Sequence, residues 1–288
     1  MNDYLIRGTA MEGRVRVLGV SSTGLTGELH RRHGTTPTAI AALGRSAAAA
    51  LMMGAMLKGE EKLTVQIKGG GPIGQIVVDA NAKGQVRGYV DNPGVDLPLN
   101  ARGKLDVAGA VGTEGFLNII KDLGLKDPYR GSVPIISGEL AEDFTYYFAK
   151  SEQTPSVVAL GVLVDLDYTI KAAGGIVIQV LPGLSDAEIT QIESMVSYLA
   201  SITSLLGSGQ TLEEIIRHVL PAVQIMERTP VEFRCKCSRE RVEQTLFSLD
   251  KTELRDMLAE DGHAEVVCHF CNETYRFDGD DLQQMIES

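Results

Sequence analysis

Four cysteines are the residues of this 288-residue chain whose type and spacing could do chemistry. One residue separates Cys235 from Cys237, two separate Cys268 from Cys271, and no cysteine precedes them. Four thiols are the number that a closed tetrahedral zinc site uses. The pattern therefore predicts one Zn²⁺, or a similar soft metal, held by all four. Four thiols buried separately in an apolar core would not explain two close pairs in one short stretch.

The two cysteine pairs differ in spacing, and each spacing predicts a different backbone. Cys268-x-x-Cys271 has ordinary zinc-knuckle spacing and lies between two predicted strands, so a tight turn is expected there. Cys235-x-Cys237 is less usual. Because alternate residues of an extended strand share a face, that pair could direct both sulfurs to one ion from a strand.

Other polar side chains near the cysteines could assist the site. Four thiolates around a divalent cation leave a net charge of −2, which nearby cations could offset if they are not simply solvated. His263 and His269 could be ligands, but with four thiols available a surface or outer-shell role is expected. The cations that flank the first pair are Arg234, Lys236, Arg239 and Arg241.

A metal in this position would matter for folding. A segment of about sixty residues is only marginally stable through burial of apolar surface. Structural zinc contributes roughly 10 to 16 kcal/mol in small peptides, and that energy becomes folding energy. Removing the metal should therefore unfold the segment. Peroxide attacks thiolates, so the site could be a redox switch as well as a structural site.

Other motifs do not predict an enzyme. The stretch KGGGPIG matches the pattern G-x-G-x-x-G at Gly69, Gly71 and Gly74. It lacks the helix that a dinucleotide site needs, because Pro72 and then a predicted strand follow. We interpret it as a β-turn connection. No Ser-His-Asp arrangement is evident, and the cluster of carboxylates in the middle of the chain is typical of a helix start. These carboxylates are Glu139, Glu142 and Asp143.

The first 180 residues are predicted to form an α+β domain with a large, mostly antiparallel sheet and helices. Short β-branched or alternating runs indicate strands. Helical patterns are expected at about 38–58, 115–122 and 156–163. The runs that indicate strands are EGRVRVLGVSS, KLTVQIKG, GQIVVDAN, QVRGYVDN and IVIQVLPG.

Residues 181–228 are predicted to form an amphipathic helical linker. Ser185 with Glu188, and Thr211 with Glu214, are capping-box signatures for two successive helices. The apolar stripe would pack on the neighbouring domain, and if the tail holds it in place, unfolding the tail would expose a patch able to bind unfolded chains. The stripe of the first helix comprises Ile189, Ile192, Met195, Val196, Leu199, Ile202, Leu205 and Leu206.

Residues 229–288 are predicted to form a small four-cysteine zinc-binding domain. Ser238 is expected to cap a helix that ends near Leu249, and Asp250 a second helix that ends near Ala259. Two strands around a turn, AEVVCHFC and TYRF, then precede a last short helix over DDLQQMIES. Three regions are therefore expected: 1–180, 181–228 and 229–288.

Composition argues against nucleic-acid and membrane partners. Lys and Arg total 27 and Asp and Glu total 38, which gives a formal net charge of −11. That balance opposes attraction to phosphate or anionic lipid. No run approaches the ~18 apolar residues of a membrane span, and the N-terminus lacks a signal-peptide pattern. A cytoplasmic, reducing location is expected, and a structural disulfide framework is not expected there.

Several stretches together resemble the bacterial redox-regulated heat-shock chaperone of about 33 kDa, the 33 kDa chaperonin family. The resemblance covers essentially the whole chain, and the paired cysteines with their gap are its most specific part. The stretches that carry it are KGGGPIG, GQVRGYVDNP, SGELAEDFTYYFAKSEQTPSVVALGVLVD, GGIVIQVLPG, FRCKCSRERVEQTLFSL and VVCHFCNETYRF.

The resemblance implies a reduced form with one zinc ion on the four cysteines. It also implies that oxidation joins Cys235 to Cys237 and Cys268 to Cys271, releases zinc, unfolds the tail and loosens the linker. The exposed surface would hold unfolded or aggregation-prone client proteins without ATP, as a homodimer. No residue that touches clients is implied by any motif.

Two other functions compete with this interpretation. A zinc-ribbon nucleic-acid-binding protein would need a basic tail, but Val231–Ser288 carries seven basic and fourteen acidic residues, 7 − 14 = −7. A thiol–disulfide oxidoreductase using Cys268-x-x-Cys271 would need the motif to open a helix in a βαβ unit. The predicted strand–turn–strand setting does not supply that.

Overall fold

The structure is a computed structural model that describes residues 3–199 and 201–287. The chain divides into two compact units, Met1–Arg234 and Cys235–Ser288, and the second is called the tail module below. The expected functional division at residues 180 and 228 remains a prediction. Among the described residues, no helix is both long enough and apolar enough to span a membrane.

The first unit is built from two sheets, helices between them, and helices on one outer face. Its elements in chain order are β1 (Tyr4–Ala10), β2 (Val15–Ser21), α1 (Thr23–His33), α2 (Pro37–Gly54), β3 (Lys62–Lys68), β4 (Gln75–Asn81), β5 (Gln85–Val90), α3 (Val107–Val111), β6 (Phe116–Asp122), β7 (Tyr129–Pro134), α4 (Ala141–Lys150), β8 (Ser156–Val164), β9 (Ile170–Val180), α5 (Asp186–Leu199), α6 (Ile202–Gly207), α7 (Leu212–Val219), β10 (Gln224–Pro230) and β11 (Glu232–Phe233).

Both sheets are mostly antiparallel, which confirms the predicted α+β class. The five-stranded sheet has the order β10-β1-β2-β9-β8, and the six-stranded sheet has the order β11-β5-β4-β3-β6-β7. The one parallel pair among the described strands joins β11 to β5. The first and last segments of this unit therefore meet, because β10 pairs with β1 at the edge of the five-stranded sheet.

Helix α2 is the centre of the main core. Thr36 caps it by accepting a hydrogen bond from the backbone N–H of Ala39, and Pro37 occupies its first turn. Its residues are apolar on nearly every side and almost all are buried, as expected for a helix enclosed by other elements. It packs against strands of both sheets, so a single continuous core joins them.

Two predicted helices are wrong. Residues 116–122 form β6, which pairs with both β3 and β7, and residues 156–164 form β8, which pairs with β9. In β6 the side chains of Leu117 and Ile119 are buried while their neighbours are more exposed, which is the alternation of a strand. Short apolar runs of this kind fit either period, and here pairing between strands decided the outcome.

The remaining expectations for this region are confirmed. The five predicted strands correspond to β2, β3, β4, β5 and β9, and the helix expected at 38–58 is α2. The glycine-rich stretch is a turn between β3 and β4. A Cβ atom on Gly71 would lie 2.3 Å from the carbonyl oxygen of Ala110, so only glycine fits this close approach. Asp143 lies at the start of α4 and accepts hydrogen bonds from the backbone N–H groups of Ile136 and Leu140.

The helices α5, α6 and α7, called the connector helices below, cover the outer face of the five-stranded sheet. Both predicted capping boxes form: Ser185 pairs with Glu188, and Thr211 with Glu214. The first predicted helix is divided into α5 and α6. The side chains of Met195 and Val196 lie outside the described part of the chain. The buried residues of this second core are Tyr4, Ile6, Ala10, Val15, Val17, Ala159, Ile176, Ile178, Ile192, Leu199, Ile202, Leu212, Ile215, Ile216, Val219, Leu220 and Val223.

Glycines in the sheet allow the connector helices to approach closely. A Cβ atom on Gly161 of β8 would lie 2.4 Å from Cγ2 of Thr203 in α6. A Cβ atom on Gly19 of β2 would lie 3.1 Å from Cδ1 of Ile216 in α7. Any larger residue at Gly161 would therefore push α6 away from the strand beneath it.

The tail module contains three helices and a two-stranded antiparallel hairpin, as predicted. The caps are also as predicted, because the side chain of Ser238 accepts a hydrogen bond from the N–H of Arg241, and that of Asp250 from the N–H of Thr252. The elements are α8 (Arg239–Phe247), α9 (Lys251–Glu260), β12 (Ala264–Val267), β13 (Thr274–Phe277) and α10 (Gly279–Glu287).

Candidate metal centre

The structure brings the four cysteines of the tail module together. Their Sγ atoms all lie within 4.8 Å of one another. The Sγ atoms of Cys235 and Cys268 are 3.8 Å apart, and those of Cys237 and Cys271 are 3.2 Å apart. Metal–sulfur bonds of about 2.3 Å in a tetrahedron place sulfurs about 3.8 Å apart. Small side-chain adjustments would therefore accommodate one tetrahedral ion.

The backbone of the first cysteine pair differs from the prediction. Strand β11 ends at Phe233, and residues 235–238 are irregular, so the pair does not lie in an extended strand. The N–H of Arg234 still donates to the carbonyl of Val86 in β5, and residues 235–238 after it form no strand. The two sulfurs nevertheless reach the same cluster, so a strand is not needed to bring them together.

The second cysteine pair lies in a tight hairpin turn, as predicted. The N–H of Cys268 donates to the carbonyl of Glu273 at 2.9 Å, and the N–H of Asn272 donates to the carbonyl of Cys268 at 2.7 Å. Asn272 adopts φ 59°, a left-handed conformation that asparagine tolerates better than most residues. Because the pair opens no helix, it lacks the helix N-terminus at which a disulfide oxidoreductase places its attacking thiol.

Burial disfavours the ionised form of two of the thiols. Desolvation is the largest cause that raises the pKa of Cys237 and of Cys271 above the ordinary value; Cys235 adds to the rise at both, while the hydrogen bond from Tyr275 opposes it at Cys237. Four adjacent thiolates without a cation would also repel one another. The metal-free cluster therefore retains protons on these two sulfurs, and a bound cation would displace them.

Tyr275 is a contact of the cluster that the sequence analysis missed. Its hydroxyl donates a hydrogen bond to Sγ of Cys237 at 3.1 Å, and this contact is the largest cause that raises the pKa of Tyr275. Such donors remove charge from a metal-bound thiolate and fix its orientation. The sequence offered one signal for it: Tyr275 lies two residues before Phe277 in a predicted strand, so the two side chains share a face.

Two of the four flanking cations have defined partners in the module. The guanidinium of Arg239 donates to the carbonyl of Arg276 and to the carboxylate of Asp281, and lies 4.3 Å from the ring centroid of Phe277. Arg241 donates to the carbonyl of Lys236 at 2.7 Å. These contacts join the start of α8 to β13 and α10, so they hold the backbone on either side of the cysteines.

The two histidines near the cysteines do not join the cluster. The metal-competent group found among the described residues contains the four cysteines and no histidine. His263 is exposed, and its Nδ1 lies 2.9 Å from the carbonyl oxygen of Asp261 at the end of α9. His269 is exposed within the hairpin turn.

The apolar core beneath the cluster is small. It lies between the hairpin and the three helices of the module. Among the described positions, Phe277 is the one aromatic residue buried in this core, with an exposure of 1%. The buried members are Leu246, Leu254, Ala264, Phe277, Leu282, Met285 and Ile286.

Comparisons with known proteins identify relatives along the whole chain. The family model described as Hsp33 protein matches residues 3–278. A protein of Bacillus subtilis named 33 kDa chaperonin is 55% identical over 282 residues, which cover 98% of this chain and 97% of that protein. A protein of the same name from a Geobacillus species is 53% identical over 287 residues, covering 99% and 97% of the two chains.

A solved structure is similar over the same extent. The crystal structure of the 33 kDa chaperonin of Thermotoga maritima superposes with a TM-score of 0.93 at 38% identity, and the match covers 100% of this chain and 98% of that chain. The similarity therefore includes the four-cysteine module as well as the two-sheet unit.

Proposed function

Because this chain belongs to the Hsp33 family, whose relatives are named chaperonins rather than enzymes, we propose that it is a redox-regulated, ATP-independent holdase that prevents aggregation of unfolded proteins. The observation that carries the proposal is the convergence of all four thiols, from two segments thirty residues apart, in a module with a small core. A metal bound by both segments would keep the module folded, and loss of that metal would unfold it.

In the reduced state we assign Cys235, Cys237, Cys268 and Cys271 as ligands of one Zn²⁺ per chain. Four soft thiolates in a tetrahedral arrangement favour zinc over harder cations such as Mg²⁺ or Ca²⁺. When bound, Zn²⁺ would supply the positive charge that keeps four adjacent sulfurs deprotonated. The chain's own contribution is orientation, from the hairpin turn at Cys268 and from the hydrogen bond that Tyr275 donates to Cys237.

Oxidation would remove the ligands in pairs. One molecule of hydrogen peroxide takes two electrons from a pair of thiolates. One S–S bond forms, the O–O bond of the peroxide breaks, and its oxygens take up two protons and leave as two waters. We propose disulfides between Cys235 and Cys237 and between Cys268 and Cys271, following the family resemblance. The sulfur distances do not select this pairing, because all four atoms lie within 4.8 Å.

Loss of the ligands would unfold the tail module, because its remaining core is small for a segment of this length. The connector helices precede the module in the chain and cover an apolar sheet face. Tyr4 of β1 holds α7 by donating its hydroxyl to Glu213 at 2.8 Å, and its ring lies 3.8 Å from the guanidinium carbon of Arg228 in β10. Loosening β10 would therefore weaken the attachment of α7.

Release of the connector helices would expose apolar surface for client proteins. The face beneath them includes Ile6, Val17 and Ile176, each with an exposure of 0% in this state. A contiguous apolar face of this kind binds partly unfolded chains through the hydrophobic effect. We further propose that the protein acts in the cytoplasm, as a homodimer in its active state, with neither nucleic acid nor membrane as a partner.

The test measures metal and chaperone activity on the same samples. Purified reduced protein should contain one zinc per chain, and treatment with peroxide at mildly elevated temperature should release it. Light scattering of a thermally unfolding client should fall only with the treated sample. Suppression of aggregation that is equal before and after peroxide would refute redox control, whereas its absence in both samples would refute holdase function.

A further inference from the structure

Residues 224–233, called the edge segment below, close the edges of both sheets in the first unit. Its β10 part pairs antiparallel with β1, from Thr9 opposite Gln224 to Tyr4 opposite Pro230. Its β11 part pairs in parallel with β5, with Glu232 opposite Gln85. One extended stretch of ten residues therefore completes two sheets, and it ends two residues before Cys235.

Backbone hydrogen bonds hold most of this segment. The N–H of Val231 donates to the carbonyl of Asp3 at 3.3 Å, and the N–H of Glu232 donates to the carbonyl of Gly84 at 3.0 Å. The side chains of the β10 part contribute less, since none of them is buried and Met226 is 69% exposed, whereas Val231 beyond it is buried in the main core. The register also shifts beside Gly8. Hydrogen bonds of this type are available to any extended peptide, whatever its sequence.

Two cavities accompany the edge segment on its course. The first, of about 290 Å³, has an apolar wall that includes Leu5, Leu57 and Ala82, and a polar wall that includes Arg7 and Lys83. The segment contributes Glu227 and Thr229, and the carboxylate of Glu227 lies 3.7 Å from the guanidinium of Arg7. An aliphatic side chain of an extended strand could pack on the apolar wall.

The second cavity, of about 300 Å³, lies beside the β11 part. It is lined by Leu25 and Arg32 of α1 and by Val231, Glu232 and Phe233 of the segment. The guanidinium carbon of Arg32 lies 4.5 Å from the ring centroid of Phe233. An aromatic side chain is therefore accepted at this end, with a cation against its face.

We propose that the groove now filled by the edge segment is a client-binding site, which takes an extended apolar stretch of an unfolded protein as an added strand. The client would pair with β1 and β5 through its backbone, while alternate side chains enter the two cavities. This is the mode in which main-chain hydrogen bonds supply affinity and pockets supply preference. The proposal rests on the proposed holdase function, because the segment must leave when the tail module unfolds.

The partner's chemistry follows from the present occupant. The groove accepts an extended chain of about ten residues, because that is what lies in it. Its own sequence, QIMERTPVEF, carries three charged residues and one proline, and its Phe233 packs beside Arg32. A client stretch with alternating apolar side chains and an aromatic residue near its end would match the apolar wall of the first cavity and this contact with Arg32.

Hydrogen exchange on the full chain tests the proposal. The probe is reduced and carboxymethylated α-lactalbumin, a permanently unfolded protein, and its binding is followed by fluorescence anisotropy. Upon oxidation, the amides of β1 and β5 that face the edge segment should lose protection. Addition of the probe should restore protection there while residues 224–233 remain unprotected.

A charge placed in the first cavity gives an independent measurement. Ala82→Glu puts a carboxylate where an apolar client side chain would enter, and should weaken probe binding by about tenfold. The matched control is Ala101→Glu, which makes the same change at an exposed loop position that lines neither cavity, and should leave binding unchanged. Both variants should release zinc like the unaltered protein, which excludes an effect on the switch.

Three results would overturn the proposal. The first is a bound probe with β1 and β5 still unprotected, or equal affinities for the two variants; the holdase function would then stand without this site. The second is protection that returns without probe and increases with protein concentration, which would assign the groove to a second copy of this chain. The third is no probe binding after oxidation, which would remove the proposed function as well.

Discussion

The two units of this chain differ in how much of their stability comes from burial. The first unit has two apolar cores, one between its sheets and one beneath the connector helices, and Phe144, Tyr147 and Phe148 are fully buried in it. The tail module relies on one small core around Phe277. A unit that buries much apolar surface is stable without a metal, whereas a unit with one small core is only marginally stable by burial alone. Under the proposed mechanism, oxidation of the four sulfurs would unfold the tail module and leave the central sheets of the first unit folded.

The largest effect should come from removing one of the proposed metal ligands. Cys271→Ser replaces the buried thiol with a poor zinc ligand, and the loss of roughly 10 kcal/mol or more of binding energy should unfold the tail module under reducing conditions. Hydrogen exchange should show residues 235–287 unprotected and the strands of the central sheets, such as β3 and β9, still protected. Stripping zinc from the unaltered protein with a chelator should give the same result. A tail module that stays protected from exchange after zinc is removed would show that it depends on metal no more than the first unit does.

An identical substitution in each unit should separate their dependence on metal. Phe277→Ala and Phe148→Ala each remove a ring that is 1% exposed, at a cost of about 3 to 5 kcal/mol. Under the proposed coupling of tail folding to metal binding, Phe277→Ala should weaken zinc affinity by about a hundredfold or more. Phe148→Ala should lower the thermal midpoint of the first unit and leave zinc affinity unchanged. Chelator competition and calorimetry measure the two quantities; equal zinc affinities for both variants would show that the units do not differ in this way.

A smaller effect should follow when the connector helices are moved and the metal is left in place. Gly161→Ala brings a methyl group against Thr203 of α6 and should cost about 1 to 3 kcal/mol. Binding of an apolar dye by the reduced, zinc-loaded protein should increase. Gly27→Ala in α1 is the control, because a methyl group there meets nothing within 4 Å. If dye binding is the same for both variants, the close approach of α6 does not hold the helices on the sheet.

The smallest effect should come from the hydrogen bond to the cluster. Tyr275→Phe removes the donor to Cys237 and keeps the ring, at a cost of about 0.5 to 1.5 kcal/mol, so zinc affinity should fall by about two- to tenfold. Tyr168→Phe, at an exposed loop position, should change nothing. Chelator competition again gives the measurement. A loss as large as that from Phe277→Ala would show that Tyr275 contributes to the core as well as to the cluster.

The fold class could be predicted because most strands carry a clear pattern. The runs that form β2, β3 and β4 are β-branched and end at glycines or polar turns. The segments that form β6 and β8 could not be assigned, because a short apolar run fits a buried helix as well as a strand. Strand β10 gave no signal at all, since Met226, Glu227 and Arg228 show no alternation, and only pairing with β1 makes it a strand.

The candidate site was predictable in its thiols and unpredictable in its surroundings. Cysteine types and spacing indicated a single cluster, and the structure places the four sulfurs together. The partner of Tyr275 and the three contacts of Arg239 depend on how α8, β13 and α10 pack, and no local pattern encodes that packing. The role of the four cysteines as ligands, the identity of the metal and the disulfide pairing remain predictions, which the experiments above would test.

The glycines beneath the connector helices also shape the surface that would remain after those helices leave. Gly19 and Gly161 contribute no side chain to the outer face of the sheet, so the face would have shallow hollows between ridges of aliphatic residues. Relief of this kind imposes few steric demands on what lies against it. A surface with low selectivity of shape would suit the proposed binding of many unrelated client sequences.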